Sequence, residues 1–307
     1  MMHQNIFREI RKVRLDNRSG ATALTARASK ILERFSRSSR LPHRHFLCQL
    51  AALSRLLIHA QPAMVSIFNL ANACATAMSK SRHGDPAQAV LATCEQFIES
   101  MHLSLQKIAS NATPLIENGS VIVTHSFSST VLQTLLAARS QNRKFRVICT
   151  ESQPMQEGVA LARSLAAARI PVTLVIDSAV FSFLPSASMV IVGADAVCRD
   201  GIVNKVGTMG IAQYARSHQV PVYVLTSSEK FFPASAPAAG FGATGKVESS
   251  RTGARQITVN NILFDLTPFG LVYRLITERG LERTAAIRSR LRNIRIHPFL
   301  RSMLTYS

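Results

Sequence analysis

Five short apolar runs separated by helical stretches constrain the fold of this chain more than any other feature. Each run is four or five residues long and mostly apolar, without the alternation of a half-exposed strand; the runs are residues 121–124, 146–150, 172–176, 189–192 and 222–225. Strands that are apolar along their whole length are buried on both faces, as in a parallel sheet covered by helices on each side. The pattern therefore predicts an α/β fold, with a Rossmann-like parallel domain over residues 113–282.

The first 112 residues show helical periodicity instead. Ile6, Ile10 and Val13 recur at spacings of three and four residues, and long stretches rich in Ala and Leu follow, namely residues 23–35, 46–79 and 87–110. Such spacing places the apolar side chains on one face of a helix. We expect an N-terminal all-α helical domain over residues 1–112.

Three further segments complete the predicted organisation. Residues 232–256 are rich in Ala, Gly, Pro and Ser and lack periodicity, which predicts a mobile loop within the Rossmann-like domain. After Pro268 we expect a helix that runs to about Arg279. Residues 283–307 form a basic C-terminal tail in this prediction.

The net charge of the chain favours an anionic partner. The 307 residues contain 36 Lys and Arg against 17 Asp and Glu, a formal charge of +19, which suits nucleic acid, an acidic protein or a phosphorylated small molecule. The excess lies at the two ends: residues 1–50 hold eleven Lys and Arg against three acids, and six Arg but no acid follow Glu282. RNA or a translation factor is therefore a candidate partner of the basic ends.

Other features of the composition exclude several classes of protein. No run reaches the ~18 apolar residues of a membrane-spanning helix, and the first residues are polar and charged where a signal peptide is apolar. We therefore expect a cytoplasmic protein with no membrane contact. The five cysteines are scattered and never form a CxxC pair, which indicates neither a disulfide framework nor a zinc ribbon.

Two short motifs resemble known sites but lack the necessary context. Residues 240–246 match the first seven positions of a P-loop, but Val247 replaces the Mg²⁺-binding Ser or Thr, and no strand enters the loop. His43, His45 and Cys48 could form half of a metal site, but no second cluster completes it. We expect the first motif to be a flexible loop and the second to be a basic loop. We expect the protein to bind neither a metal nor a cofactor.

The strongest constellation of polar residues follows the fourth apolar run. Asp195 lies at the carboxyl end of that run, and Asn204 and Lys205 precede a helix. A lysine, an amide side chain and free amides at the start of a helix suit a phosphorylated sugar, and Asp195 could transfer a proton to or from a sugar oxygen. The same residues also suit a structural turn, in which Asp195 caps the chain and Lys205 is solvated.

The sequence VGADAV of residues 192–197 and DGIVNKVGT of residues 200–208 resemble the signature of a known family. It contains the alpha, beta and delta subunits of eukaryotic translation initiation factor 2B, methylthioribose-1-phosphate isomerase and ribose-1,5-bisphosphate isomerase. Further segments agree in order, namely residues 16–21, 61–64, 69–71, 124–128, 150–154 and 264–268. The resemblance covers residues 8–282. It implies a helical domain, a Rossmann-like domain that forms a homodimer, and a pocket of sugar-phosphate size between the two domains.

The resemblance also assigns roles to residues of the pocket. It implies catalytic positions at Asp195 and Ser126, and ligand-binding positions at Gly20, Ala21, Gln61, Gln153, Asn204 and Lys205. The isomerases have a cysteine in place of Ser126 and arginines in place of Ser19, Gln61 and Gln153. A serine hydroxyl is far less acidic than a thiol, and guanidinium groups suit bidentate phosphate contacts, so isomerase chemistry is disfavoured. Arg18, one position from Ser19, is a candidate to compensate in part.

Three hypotheses about function follow. The segments at residues 124–126 and 151–154 look like the alpha subunit, so the leading hypothesis is a regulatory, weakly catalytic or non-catalytic protein that binds a sugar phosphate or nucleotide. The alternative is an aldose–ketose isomerase acting on ribose 1,5-bisphosphate or methylthioribose 1-phosphate, with Asp195 as acid or base and Ser126 in the place of the cysteine. The third is RNA binding through the basic ends, including the arginine-rich residues 288–296.

Overall fold

The computed structural model describes residues 2–16, 19–80, 85–236 and 262–301. Its N-terminal part contains five helices: α1 (Met2–Leu15), α2 (Ala21–Ser38), α3 (His43–Ala60), α4 (Val65–Lys80) and α5 (Pro86–Ala112). Leu24, Ala28, Leu32 and Phe35 of α2 are buried at spacings of three and four residues, as a helix packed on one face requires. The predicted all-α character of this part is confirmed.

The C-terminal part is built around a seven-stranded sheet. Its parallel strands are β1 (Val121–Thr124), β2 (Arg146–Thr150), β3 (Val172–Val175), β4 (Met189–Val192), β7 (Val222–Leu225) and β9 (Arg274–Thr277), with β10 (Gly280–Glu282) antiparallel at one edge. The strand order is β10-β9-β7-β4-β1-β2-β3. Helices α6 (Ser129–Ser140), α7 (Glu157–Ala167) and α8 (Thr208–Ser217) connect the strands. The five predicted strands and the Rossmann-like order are therefore confirmed.

A second, three-stranded antiparallel sheet has no counterpart in the sequence-based prediction. It contains β5 (Ala196–Val197), β6 (Gly201–Lys205) and β8 (Phe264–Pro268), with β6 in the centre. The predicted helix from Pro268 to Arg279 is wrong. A single 3₁₀ turn, Phe269–Leu271, leads into β9, whose buried Leu275 and Ile276 extend the large sheet beside β7.

Four apolar clusters form the core. One lies among α1–α5, two cover the two faces of the large sheet, and the fourth joins the two parts of the molecule. The fourth cluster brings Val65 and Phe68 of α4 together with Val203 of β6 and Phe232. The helical part is thus packed directly against the α/β part.

The C-terminal segment is packed rather than solvated. Ile287 and Leu291 of α9 (Thr284–Arg292) are fully buried against the α/β part, and Leu300 of α10 (Pro298–Arg301) joins the fourth cluster. His297 reaches α4, where its ring hydrogen-bonds to Ser79 at 2.7 Å. Residues 284–301 of the predicted basic tail are thus not a solvated extension, because apolar side chains fix the segment to both parts.

Several sequence-based expectations concern residues that the structure does not describe. The P-loop-like motif 240–246, Arg18 and most of the expected mobile loop at 232–256 lie outside the described residues. Among the residues that the structure does describe, no group of three or more His, Cys, Asp and Glu could hold a metal ion. The same residues include no helix long and apolar enough to span a membrane.

Candidate functional site

The candidate site lies where the strand order of the large sheet reverses. Strands β1 and β4 are neighbours, and the chain proceeds outward from them in opposite directions, through β2 and β3 on one side and through β7 and β9 on the other. Ligands of such sheets bind beyond the carboxyl ends of the strands at this switch point. Ser126 follows β1 and Asp195 follows β4, so both lie at this edge.

A cavity between the two parts of the molecule collects most of the predicted site residues. It is lined from the helical part by Asp16, Ser19, Gly20, Leu24, Gln61 and Met64, and from the α/β part by Ser126, Phe127, Glu157, Asp195, Lys205, Leu263 and Phe264. Its volume is about 70 Å³, which is room for a few water molecules. A phosphorylated sugar would therefore displace side chains or extend into solvent.

Lys205 forms a buried ion pair at the floor of the cavity. Its side chain, at the end of β6, is 3 % exposed, and its Nζ lies 2.6 Å from Oε1 of Glu157 at the start of α7. The second carboxylate oxygen of Glu157 is buried and has no hydrogen-bond partner among the residues that the structure describes. A buried polar atom that lacks a partner is costly, so this oxygen marks a place where the site is incompletely satisfied.

Asp195 is the carboxyl group at the centre of the site. Its backbone N–H donates to the Val203 carbonyl at 2.8 Å, which fixes the turn between β4 and the small sheet. Burial raises the pKa of Asp195; the charges of Lys230 and Lys205 act in the opposite direction, and that of Glu157 adds to the increase. A carboxyl group with a raised pKa is better suited to accept or release a proton near neutrality than an exposed one.

Ser126 is held in an unusual backbone conformation. Its φ is +67°, and its backbone N–H donates to Oγ of Ser152 at 2.8 Å. The preceding residue, His125, contacts the Val206 carbonyl through Nε2 at 2.8 Å and Oγ1 of Thr150 through Nδ1 at 2.6 Å. Because a carbonyl only accepts, Nε2 carries the proton and Nδ1 accepts from the threonine hydroxyl.

His125 consequently serves as a structural connection. Burial lowers the pKa of His125, which favours the neutral ring that these two hydrogen bonds require. The ring joins the loop after β1 to β2 and to the segment before α8. Gly207, with φ of +104°, lies beside it, and a Cβ there would approach the ring to about 3.2 Å.

The start of α2 reaches the cavity without a side-chain cap. Gly20 is the N-cap residue in an extended conformation, and as a glycine it has no side chain to accept a hydrogen bond from the first turn, which begins at Ala21. The first amides of a helix attract anions. Gly20 lines the cavity, whereas the side chain of Ala21 is buried beneath it.

The predicted free amides at the start of α8 are already occupied. The carboxylate of Asp265 accepts hydrogen bonds from the N–H groups of Gly207 at 2.7 Å and Met209 at 3.1 Å. Asn204 is buried and donates to Oγ1 of Thr208 at 3.0 Å, so it does not line the cavity. A carboxylate of the chain thus occupies the helix start at which a phosphate contact was expected.

The two glutamines that replace the expected arginines have different environments. Gln61 lines the cavity and donates from Nε2 to the carbonyls of Val13 at 2.8 Å and Asp16 at 3.0 Å, which anchors the end of α1. Gln153 is exposed and does not line the cavity. Among the described residues that line it, none is an arginine.

Asp16, Glu157 and Lys230 are charged residues at or near the cavity that sequence reasoning did not assign to the site. Lys230 is buried, and its Nζ donates to the carbonyl of Ala194 at 2.6 Å. The position of Lys230 soon after β7, at the carboxyl edge of the sheet, is the feature of the sequence that could have indicated its place near the site. Glu157 carried no signal of its own, since the pairing with Lys205 depends on the contact between α7 and β6.

Comparison with known proteins supports a single family. A sequence model of the initiation factor 2 subunit family matches residues 17–284. The chain is 35% identical to a putative translation initiation factor eIF-2B subunit 2-like protein of Pyrococcus furiosus, over 75% of this chain and 79% of that protein. It is 29% identical to the ribose 1,5-bisphosphate isomerase of Methanocaldococcus jannaschii, over 85% of this chain and 86% of that enzyme.

Solved structures agree with these relatives. The translation initiation factor eIF-2B of Pyrococcus horikoshii OT3 superposes with a TM-score of 0.81 at 28% identity, covering 91% of this chain and 97% of that one. The 5-methylthioribose 1-phosphate isomerase of the same organism has a TM-score of 0.71 at 18% identity, covering 93% and 86%. At that identity, the second similarity concerns the fold alone.

Proposed function

Because the chain belongs to the initiation factor 2 subunit family, we propose that its cavity binds a phosphorylated sugar or nucleotide and that the protein is regulatory rather than strongly catalytic, like the alpha subunit of initiation factor 2B. The observation that carries the proposal is the meeting of Asp195, Lys205 and the uncapped start of α2 at one cavity. A cation and free helix amides suit a phosphate group, and a carboxyl group suits sugar hydroxyls.

The ligand phosphate competes with a carboxylate of the protein in this proposal. Lys205 is paired with Glu157, whose second oxygen has no partner within the described part of the chain. A phosphate that contacts Lys205 would take the place of this carboxylate or share the cation with it. Binding is therefore expected to move Glu157, which would also enlarge the small cavity.

Weak catalysis follows from what the cavity lacks. Ser126 occupies the position of the isomerase cysteine, and no arginine lines the described cavity. The nearest thiol along the chain, Cys149, lies within β2, and burial raises its pKa to about 12, which leaves it protonated and inert. Among the described residues that line the cavity, none is a cysteine that could replace the missing thiol.

A second candidate function rests on Asp195. Its raised pKa and its presence in one cavity with Ser126 favour an aldose–ketose isomerase, as some relatives are named. In that reaction one hydrogen leaves C2 of the opened aldose and one is gained at C1, with Asp195 as the acid or base. We rank it second because the hydroxyl of Ser126 is a poor proton donor and acceptor near neutral pH.

Ligand binding and turnover are the experimental tests. Ribose 1,5-bisphosphate, methylthioribose 1-phosphate and nucleoside monophosphates are each added at saturating concentration, and the melting temperature is recorded. We expect at least one to raise it by a few degrees, since a ligand specific for the folded state stabilises it by mass action. The proposal of a ligand site is wrong if none does. Ketose formation that Asp195→Asn abolishes would favour the isomerase instead.

A double substitution tests the role of Lys205 without leaving a buried charge unpaired. Lys205→Met combined with Glu157→Gln removes both members of the ion pair, so the fold is not burdened by a lone carboxylate. We expect this variant to lose the ligand-induced rise in melting temperature. Lys144→Met, which removes an exposed lysine away from the cavity, is the control and should respond like the wild type. An unaltered response of the double variant would refute a phosphate contact at Lys205.

A further inference from the structure

A buried lysine lies directly behind the candidate site. Lys230 ends the 3₁₀ turn Ser228–Lys230 that follows β7, and only 7 % of its surface is exposed. Its Nζ donates to the carbonyl of Ala194 at 2.6 Å. Since Ala194 immediately precedes Asp195, the ammonium group lies against the turn that carries the central carboxyl group.

The charge of Lys230 is not neutralised by a close ion pair. In the described part of the chain no carboxylate lies within 4 Å of its Nζ, whereas Lys205 is paired with Glu157. Burial lowers the pKa of Lys230, and the charges of Asp195 and Glu229 raise it. Of the two lysines that favour the ionised form of Asp195, Lys230 has the larger effect on its pKa.

The turn that carries Lys230 is held by helix α9, which begins where the match to the family ends. The guanidinium group of Arg290 donates to Oγ of Ser228 and lies 4.4 Å from the ring centre of Phe231. It also pairs with the carboxylates of Glu278 and Glu282. Arg290 therefore contacts the chain on both sides of Lys230.

The turn is anchored on its other side by the helical part of the molecule. Oε1 of Glu229 accepts hydrogen bonds from Ser100 at 3.0 Å and Ser104 at 3.1 Å, both on α5. Asn69 of α4 donates to the carbonyls of Glu229 at 2.7 Å and Phe231 at 2.9 Å. From the α/β part, two side chains support the turn: Arg290 donates to the hydroxyl group of Ser228, and the carboxylate of Glu278 accepts hydrogen bonds from that hydroxyl group and from the N–H group of Ser228.

We propose that Arg290 is a positioning residue of the candidate site: through Ser228 and Phe231 it holds the ammonium group of Lys230 where that group balances the charge of Asp195. The inference rests on the proposed function, in which Asp195 contacts the ligand as a carboxylate. Coulomb attraction weakens with distance, and a lysine side chain is flexible, so a turn released from α9 would balance Asp195 less well. Helix α9 thereby becomes part of the site's structure.

Titration of Asp195 by carbon-13 NMR of carboxyl groups tests this proposal without any ligand. Comparison with Asp195→Asn assigns the signal. Removal of the ammonium group in Lys230→Met is expected to raise the pKa of Asp195, because it takes away a positive charge that favours the carboxylate. Lys230→Arg, which keeps the charge, should restore most of the original value. An unchanged pKa in Lys230→Met would overturn the role of Lys230.

Variants of α9 then test the positioning role. Arg290→Met is expected to raise the pKa of Asp195 in the same direction but less than Lys230→Met does. Arg292→Met, an exposed arginine on the same helix, is the control and should leave it unchanged. If Arg290→Met lowers the melting temperature but leaves the pKa of Asp195 unaltered, Arg290 is only structural and the proposal is wrong.

Arg290→Lys keeps the test decisive should Arg290→Met fail to fold. This variant retains a positive charge between Glu278 and Glu282 but loses the planar fork that contacts Ser228 and Phe231. A raised pKa of Asp195 is expected here too, and its absence would overturn the proposal. These titrations use the protein without ligand, so a failure to bind sugar phosphates would refute the proposed function and leave the titration result standing.

Discussion

At the scale of single residues, the cavity is lined by one lysine, Lys205, and by three carboxyl groups, and a second lysine, Lys230, lies behind it. Lys205 is paired with Glu157, and Asp195 has the more distant charge of Lys230 behind it. Burial of these groups costs free energy, which ligand contacts would recover only in part. Without a ligand, the protein is therefore expected to have a lower free energy of unfolding than a variant in which a neutral residue replaces one of these charged groups.

Substitution of Asp195 by Asn is expected to stabilise the unliganded protein at neutral pH. Because burial raises the folded-state pKa of Asp195, the folded protein holds this proton more tightly than the unfolded chain does. Stability is thus lost as the pH rises from the ordinary pKa of an aspartate through the raised one. Urea unfolding should show a higher free energy of unfolding for Asp195→Asn at pH 7, and the difference should vanish below pH ~4.

An exposed aspartate serves as the control for this experiment. Asp200 lies in the turn between β5 and β6. Asp200→Asn should leave the free energy of unfolding almost unchanged at both pH values. A loss of stability in Asp195→Asn at pH 7 would show that the buried carboxylate is net stabilising, contrary to this account.

The sequence allowed some of these residues to be predicted and not others. Ser126, Asp195 and Lys205 follow or end strands, and the resemblance adds Gly20 and Gln61; the structure brings these five to one cavity. Gln153 and Asn204 occupy comparable positions in the sequence, but their side chains lie elsewhere. Which way a side chain points beyond a strand depends on packing against other elements, which strand periodicity does not encode.

At the scale of elements, strands that are apolar along their length were predictable, and strands of mixed polarity were not. The strands of the large sheet that are buried throughout, such as β1 and β4, coincide with apolar runs. In contrast, β6 and β8 contain Asn204, Lys205 and Asp265 and pair only with each other and β5. Helix α9 was mistaken for a tail because its many arginines obscured the pair Ile287 and Leu291.

Truncation of Leu291 tests whether α9 is an integral element. Leu291 is fully buried against the α/β part, so Leu291→Ala should lower the free energy of unfolding by about 2–5 kcal/mol. The neighbouring exposed residue provides the control: Arg292→Ala should change it by less than about 0.5 kcal/mol. Equal, small effects in urea denaturation would mean that α9 is solvated.

At the scale of the whole molecule, the positive charge and the exposed apolar surface concern partners. Arg288, Arg292 and Arg295 are exposed on the packed C-terminal segment, so contact with RNA or a translation factor there stays a prediction. Added salt should weaken such a contact.

Exposed apolar side chains occur on another surface. Met209 is 45 % and Leu266 37 % exposed, and both lie near Asp265.

We expect the chain to form a homodimer through the surface around Met209 and Leu266. Met209→Asp would place a charge in this apolar contact and should shift the protein from dimer to monomer in sedimentation velocity experiments. Leu103→Asp, at a 47 % exposed leucine on α5, is the matched control and should leave the dimer intact. A wild-type protein that sediments as a monomer at micromolar concentration would refute the homodimer.

A crystal structure with ribose 1,5-bisphosphate or a nucleoside monophosphate that raises the melting temperature would test the central claim most directly. The account predicts a phosphate group between the first turn of α2 and the ammonium group of Lys205, with Glu157 moved from its present position and Asp195 beside a sugar hydroxyl. Density for the ligand at another place on the protein, with the Lys205–Glu157 pair intact and the cavity unchanged, would contradict it.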